Sequence, residues 1–160
     1  CRIKTDPWIE PMPCNTAIAF SDDRAEKYFL SAGLSVRKPW GRWSDGSAVE
    51  LLLLPEEGCH PDTLQLDVSP YLNRDHPQQT ADIFVNENLV EQISLSFGMD
   101  NPKYFLIQLP EFVSEKIKVR FEVKNPISPH ALGISKDTRA LGFRFRSIKL
   151  VSPTVDPAIL

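Results

Sequence analysis

From Lys116 to Val123 the chain reads Lys-Ile-Lys-Val-Arg-Phe-Glu-Val, polar and apolar residues alternating without a flaw. Successive side chains of a strand point to opposite faces, so this run sends one face to a core and the other to water, as an antiparallel sheet does. A second run repeats the idea. Phe143, Phe145, Ile148 and Leu150 fall on the apolar side and Arg144, Arg146 and Lys149 outward, with the phase slipping by one between Phe145 and Ile148. Such a slip predicts a bulge near Ser147.

Further β-rich runs lie at 17–20, 48–54, 63–68, 81–85, 89–95 and 104–109, which with 116–123 and 141–151 makes eight strand candidates. Asn86-Glu87-Asn88 separates two of them with residues that tolerate left-handed backbone, so a hairpin is predicted there. One window, Asp22 to Leu30, carries a helical repeat, with Ser21 as N-cap, Asp22 and Asp23 in the first turn and Gly33 beyond the end. The stretch Asn73 to Gln79 is the most polar and reads as an exposed loop. Fourteen prolines against 7 glycines, scattered along the chain, favour short elements joined by rigid corners. The expectation is an all-β fold, an antiparallel two-sheet sandwich of jelly-roll type with one short helix. The segment 1–28 has no clear role, 29–151 forms the sandwich, and 152–160 trails as a tail.

A chain of 160 residues is one domain of ordinary size. Its net charge of −3 and pI near 5.6 offer no excess of positive charge to neutralise phosphates, so nucleic acid is not an expected partner. The longest apolar run, 49–55, is interrupted by Glu50 and falls far short of the ~20 residues that span a bilayer. Cys1, Cys14 and Cys59 contain no Cys-x-x-Cys pair, which argues against a cysteine zinc site. They leave open any of three disulfide pairings, or none. No Gly-x-Ser-x-Gly elbow, glycine-rich phosphate loop, His-Glu-x-x-His or calcium-loop motif occurs, so no catalytic residue, metal ligand or cofactor is assigned.

Two segments carry chemistry. Lys38-Pro39-Trp40-Gly41-Arg42-Trp43-Ser44-Asp45-Gly46 places two of the three tryptophans within four residues. An indole face packs on the apolar C–H face of a pyranose while Arg and Asp meet its hydroxyls, which is what sugar recognition needs. Equally, one Trp is core, the other a packing lid, and Ser44-Asp45-Gly46 a plain turn. The second segment, 125–142, is too long for an ordinary hairpin turn and contains Asp137-Thr138-Arg139. Asp137 and Arg139 either brace this loop as an ion pair or present a sugar-binding edge.

The Trp-Gly-Arg-Trp-Ser-Asp-Gly element at 40–46, taken with Ser128-Pro129 and the Asp-Thr-Arg-Ala-Leu-Gly element at 137–142, resembles an accessory β-domain attached to bacterial phosphoglycerol transferases of osmoregulated periplasmic glucans and to related glycosyltransferases. The resemblance runs from about Phe29 to Val151, and residues 1–28 match nothing in it. It implies a non-catalytic piece that binds or positions a glucan, with a membrane-anchored catalytic domain in the same or a partner chain and a periplasmic location. The sulfatase-like catalytic part of such enzymes has no counterpart in this sequence. The ligand-binding residues it implies are Trp40, Arg42, Trp43, Asp45, Asp137 and Arg139. A docking module that orients the catalytic domain without binding sugar is the alternative.

Overall fold

The computed structural model describes residues 9–102, 104–110 and 116–153. Among the described residues, ten strands form two antiparallel sheets: β1 (Ile18–Ala19), β2 (Phe29–Ala32), β3 (Arg42–Asp45), β4 (Ala48–Leu53), β5 (Thr63–Pro70), β6 (Gln78–Val85), β7 (Asn88–Ser96), β8 (Phe105–Gln108), β9 (Ile117–Lys124) and β10 (Leu141–Val151). One sheet has the order β1-β10-β5-β8, with β3 also paired to β10; the other runs β2-β4-β9-β6-β7. All eight expected strands form, as a two-sheet sandwich of jelly-roll type. β2 and β3 are additional.

The alternating runs do what their period dictates. In β9, Ile117, Val119, Phe121 and Val123 are buried while Lys118, Arg120 and Glu122 face out. Opposite them β10 supplies Phe143, Phe145, Ile148 and Leu150, all fully buried. Phe121 meets Phe143 and Phe145 edge-on, with ring centroids at 6.2 and 5.1 Å, so the centres of the two sheets lock through aromatic contacts. The register of β10 against β5 shifts between Phe145 and Ser147, which is the expected bulge. Between β6 and β7 the turn is Asn86-Glu87, both with positive φ (47° and 72°), the primed geometry that matches strand twist.

Where the expected helix lay, Asp23–Tyr28 forms a 3-10 helix capped by Asp22 rather than Ser21, and Phe29 and Leu30 leave it to pair with Leu53 and Leu52 in β4. The polar stretch 73–79 is not simply an exposed loop: His76 and Gln79 are buried, His76 Nε2 lies 3.0 Å from Gln79 Oε1, and Gln79 opens β6 by donating to the Lys124 carbonyl. A distant carbonyl satisfies the amide, so its burial costs little.

The described part of the first 28 residues belongs to the sandwich. Met12, Ile18 and Phe20 are buried in the core, β1 extends the sheet beside β10, and a disulfide joins Cys14 to Cys59 across 45 positions. Positions 1–8, with Cys1, and 154–160, most of the expected tail, lie outside the described residues.

Candidate functional site

Residues 33 to 45 form a hairpin that ends in β3. Asp45 N–H donates to Gly33 O (2.8 Å), Ser35 N–H to Trp43 O (2.7 Å), and Lys38 and Gly41 exchange both backbone bonds (2.8 and 3.1 Å). Pro39 presets φ for the tight turn Lys38-Pro39-Trp40-Gly41. Gly41 then sits at φ +138° so close to β10 that a Cβ would overlap the Phe145 carbonyl oxygen. The turn therefore has little freedom, and Trp40 is held at its corner.

β3 aligns with β10 so that Trp43 lies opposite Arg144, and Arg144 on its other side lies opposite Ser69 of β5. This row is on the outer face of the sheet, because the flanking Phe143 and Phe145 point into the core. Trp40 and Trp43 meet edge to face with centroids 5.5 Å apart; Tyr71, just after β5, meets Trp43 in the same way at 5.6 Å; and His76 stacks behind Tyr71 at 6.3 Å. The Arg144 guanidinium lies 4.9 Å from the Trp40 ring centre and 5.0 Å from that of Trp43. Both indoles, Tyr71 and Arg144 are partly exposed. The result is a partly exposed aromatic row with a cation lying over its two indoles.

The other expected residues brace the hairpin that carries the row, each with an internal partner. Arg42 Nε donates to the Ser35 carbonyl (2.7 Å). Asp45 accepts from Ala140 N–H (2.9 Å), tying β3 to the end of the 125–142 loop. Arg139 grips Asp137 through Nε and Nη2 (3.0 and 2.6 Å) and reaches Ser35 Oγ with Nη1 (2.9 Å). Arg139 holds the Asp137 carboxyl down to about 2, first through its guanidinium hydrogen bonds and then through its backbone N–H (3.0 Å). Asp137 in turn acts on Tyr71, whose phenol is raised chiefly by burial and then by this nearby carboxylate. The two sequence segments thus converge, one supplying the indoles and the other clamping their hairpin.

Sequence reasoning missed Ser44, Tyr71 and Arg144. Ser44 is fully buried beneath the row, and its hydroxyl accepts from both Gly142 N–H (3.1 Å) and Phe143 N–H (2.8 Å) at a register shift between β10 and β3. Arg144 was visible as an outward position of an alternating strand, but its neighbours follow only from the pairing of β3 with β10. Among the described residues, no group of three or more His, Cys, Asp or Glu side chains is placed to hold a metal ion, and no helix is long and apolar enough to cross a membrane.

No protein-family model matches the sequence, and no curated protein matches it. Among solved structures the fold is similar to the CBM36-1 domain of a multidomain xylanase from the hindgut metagenome of Trinervitermes trinervoides, with a TM-score of 0.51 and 8% identity over 88% of this chain and 98% of that one. It is also similar to the acetyl xylan esterase Est2A from the rumen bacterium Butyrivibrio proteoclasticus, with a TM-score of 0.52 and 12% identity over 89% of this chain and 34% of that one. The chain spans about a third of the esterase. At such identities the likeness is one of fold, and the fold is that of a β-sandwich.

Proposed function

We propose that this β-sandwich is a non-catalytic glycan-binding module whose binding face is the aromatic row Trp40–Trp43–Tyr71 on the outside of the β3–β10–β5 sheet. The observation that carries the reading is that two indoles and a phenol meet edge to face and partly exposed, with Trp40 on a turn that has no room to relax, Trp43 in β3 and Tyr71 just after β5. Pyranose rings stack on such faces through their axial C–H groups, and a rigid platform loses little entropy on binding. Arg42, Asp45, Asp137 and Arg139 serve the platform as braces. The similarity in fold to a domain of a multidomain xylanase supports a module of this kind.

In its finer form the proposal places the module beside a membrane-anchored phosphoglycerol transferase that modifies osmoregulated periplasmic glucans. The Trp-Gly-Arg-Trp-Ser-Asp-Gly and Asp-Thr-Arg-Ala-Leu-Gly elements support that setting. The Cys14–Cys59 disulfide supports an oxidising compartment such as the periplasm. Affinity electrophoresis in gels containing soluble β-glucan tests the reading. The wild-type protein is expected to be retarded and Trp43→Ala to run as in a glucan-free gel. Equal mobility of both proteins in all gels would refute it.

A docking module without sugar affinity is the second reading, favoured by a different surface. At the open side of the sandwich, where β7 faces β8, Phe97, Met99, Tyr104 and Leu106 are 50%, 67%, 44% and 64% exposed beside a groove lined by Ile93, Leu95 and Phe105. On that reading Leu106→Asp, not Trp43→Ala, weakens co-purification with the catalytic domain.

A further inference from the structure

The guanidinium of Arg144 is in an uncommon position for a partly buried cation. Its Nε is buried and has no hydrogen-bond partner, and no hydrogen bond or ion pair joins its guanidinium to another described residue. What holds it is the pair of indoles, at 4.9 and 5.0 Å. Attraction to ring faces uses the charge of a guanidinium and none of its N–H donors, which point outward in the guanidinium plane in the fork that matches an oxyanion.

The surrounding charges do not supply that oxyanion. Burial, and after it the like charge of Arg146 two residues along β10, pull the Arg144 guanidinium below its ordinary range. Asp137 is gripped by Arg139 at 2.6 Å, and Asp67 of β5, whose buried Oδ1 also has no hydrogen-bond partner, lies 3.9 Å from Arg146 and pairs with that cation, not with Arg144. In a chain of net charge −3, the sugar-stacking face bears the one cation among the described arginines with neither hydrogen bond nor ion pair in an aromatic setting.

We infer that Arg144 is a specificity residue that receives an anionic substituent, a carboxylate or a phosphate ester, on a sugar stacked against Trp40 and Trp43. The proposal deepens the glycan-binding reading above and rests on it. The ligand class is an acidic glycan. A neutral ring stacks on the indoles, and an acidic one adds a two-point charged hydrogen bond in a setting sheltered from water on its indole side.

The test is calorimetric titration with three probes sharing one backbone: a short neutral gluco-oligosaccharide, the same oligosaccharide oxidised to carry glucuronate, and the same carrying a 6-phosphate. Wild type is expected to bind at least one acidic probe about tenfold more tightly than the neutral one. The advantage should shrink as salt is raised. The better of the two acidic probes identifies the anion. Arg144→Gln is expected to bind all three equally, and Arg144→Lys, which keeps the charge but not the fork, to retain only part of the preference. Near-UV circular dichroism of each variant checks that the indole pair is intact. Equal wild-type affinity for neutral and acidic probes overturns the inference and leaves glycan binding standing, as does a preference that survives in a correctly folded Arg144→Gln. Failure of all three probes to bind at millimolar concentration removes the glycan reading itself.

Discussion

Trp43 of β3 and Arg144 of β10 are direct cross-strand partners on the outer face of one sheet, with the guanidinium 5.0 Å from the indole ring centre. Cross-strand neighbours on one face are the unit of sheet stabilisation. Here the pair also joins the chain's aromatic segment to its closing strand, and Trp40, Tyr71 and Ser69 gather round it.

Because Trp40 and Trp43 are partly exposed and flank the fold's core instead of filling it, their loss should separate binding from stability. Trp43→Ala is expected to abolish glucan binding while lowering stability by no more than about 2 kcal/mol, the scale of an edge-to-face pair plus partial burial. Chemical denaturation together with the binding assay reads both effects.

Ser44 has no solvent exposure and its hydroxyl accepts two backbone N–H groups where β10 slips register against β3. Ser44→Ala leaves both donors buried without a partner and is expected to cost about 1–3 kcal/mol per donor not re-satisfied. A fall in the urea midpoint that, multiplied by an unchanged slope, gives that free energy checks it.

Gly41 and Gly46 offer a matched comparison. Both have positive φ, +138° and +106°, but a Cβ at Gly41 overlaps the Phe145 carbonyl while at Gly46 it meets open space. Gly46→Ala should cost only the backbone strain, about 1 kcal/mol. Gly41→Ala adds a backbone clash and is expected to exceed about 2 kcal/mol and to disturb the near-UV signal of the Trp40–Trp43 pair.

Arg139 lowers Asp137 from 3.8 to about 2. A carboxyl depressed in the folded state contributes stability that is fully present above its ordinary value and is lost as pH falls through the folded one. Asp137→Asn removes that contribution at every pH. The melting-temperature gap between wild type and Asp137→Asn should therefore be constant above about pH 5 and close between about pH 4 and 2. A gap that widens with acid would contradict the assignment.

Cys14–Cys59 closes a loop of 45 positions and fastens the stretch before β1 to the connection between β4 and β5. Chain-entropy arguments give such a crosslink about 4 kcal/mol. The double variant Cys14→Ser, Cys59→Ser should lose stability on that order, and adding reductant to wild type should reproduce the loss while leaving the double variant unaffected.

The strands that could be read in advance are those whose faces differ. β9 and the outer half of β10 alternate because one side meets Phe121, Phe143 and Phe145 and the other meets water. β2 and β3 were hidden for opposite reasons. Phe29 and Leu30 lie where a helical repeat ends, and only their pairing with Leu53 and Leu52 turns them into strand. β3 has four residues, too few for a period to register. Buried polar residues were equally hidden, since Gln79 is affordable only because Lys124, 45 positions on, offers its carbonyl. The indole segment and the Asp–Arg segment were legible as unusual text, and they do converge. Their division of labour was not, because it depends on Ser35, Ala140 and Arg144, which pattern alone does not place beside them.

The central claim is that sugar binds on the Trp40–Trp43–Tyr71 row. Two-dimensional NMR of the wild-type protein, titrated with a gluco-oligosaccharide into the millimolar range, tests it most directly. The account predicts that the indole N–H signals of Trp40 and Trp43 shift together with the amides of Tyr71 and Arg144, while those of Lys118, Arg120 and Glu122 on the opposite sheet stay still. Shifts confined to the Phe97–Leu106 edge, or none at all, would contradict it.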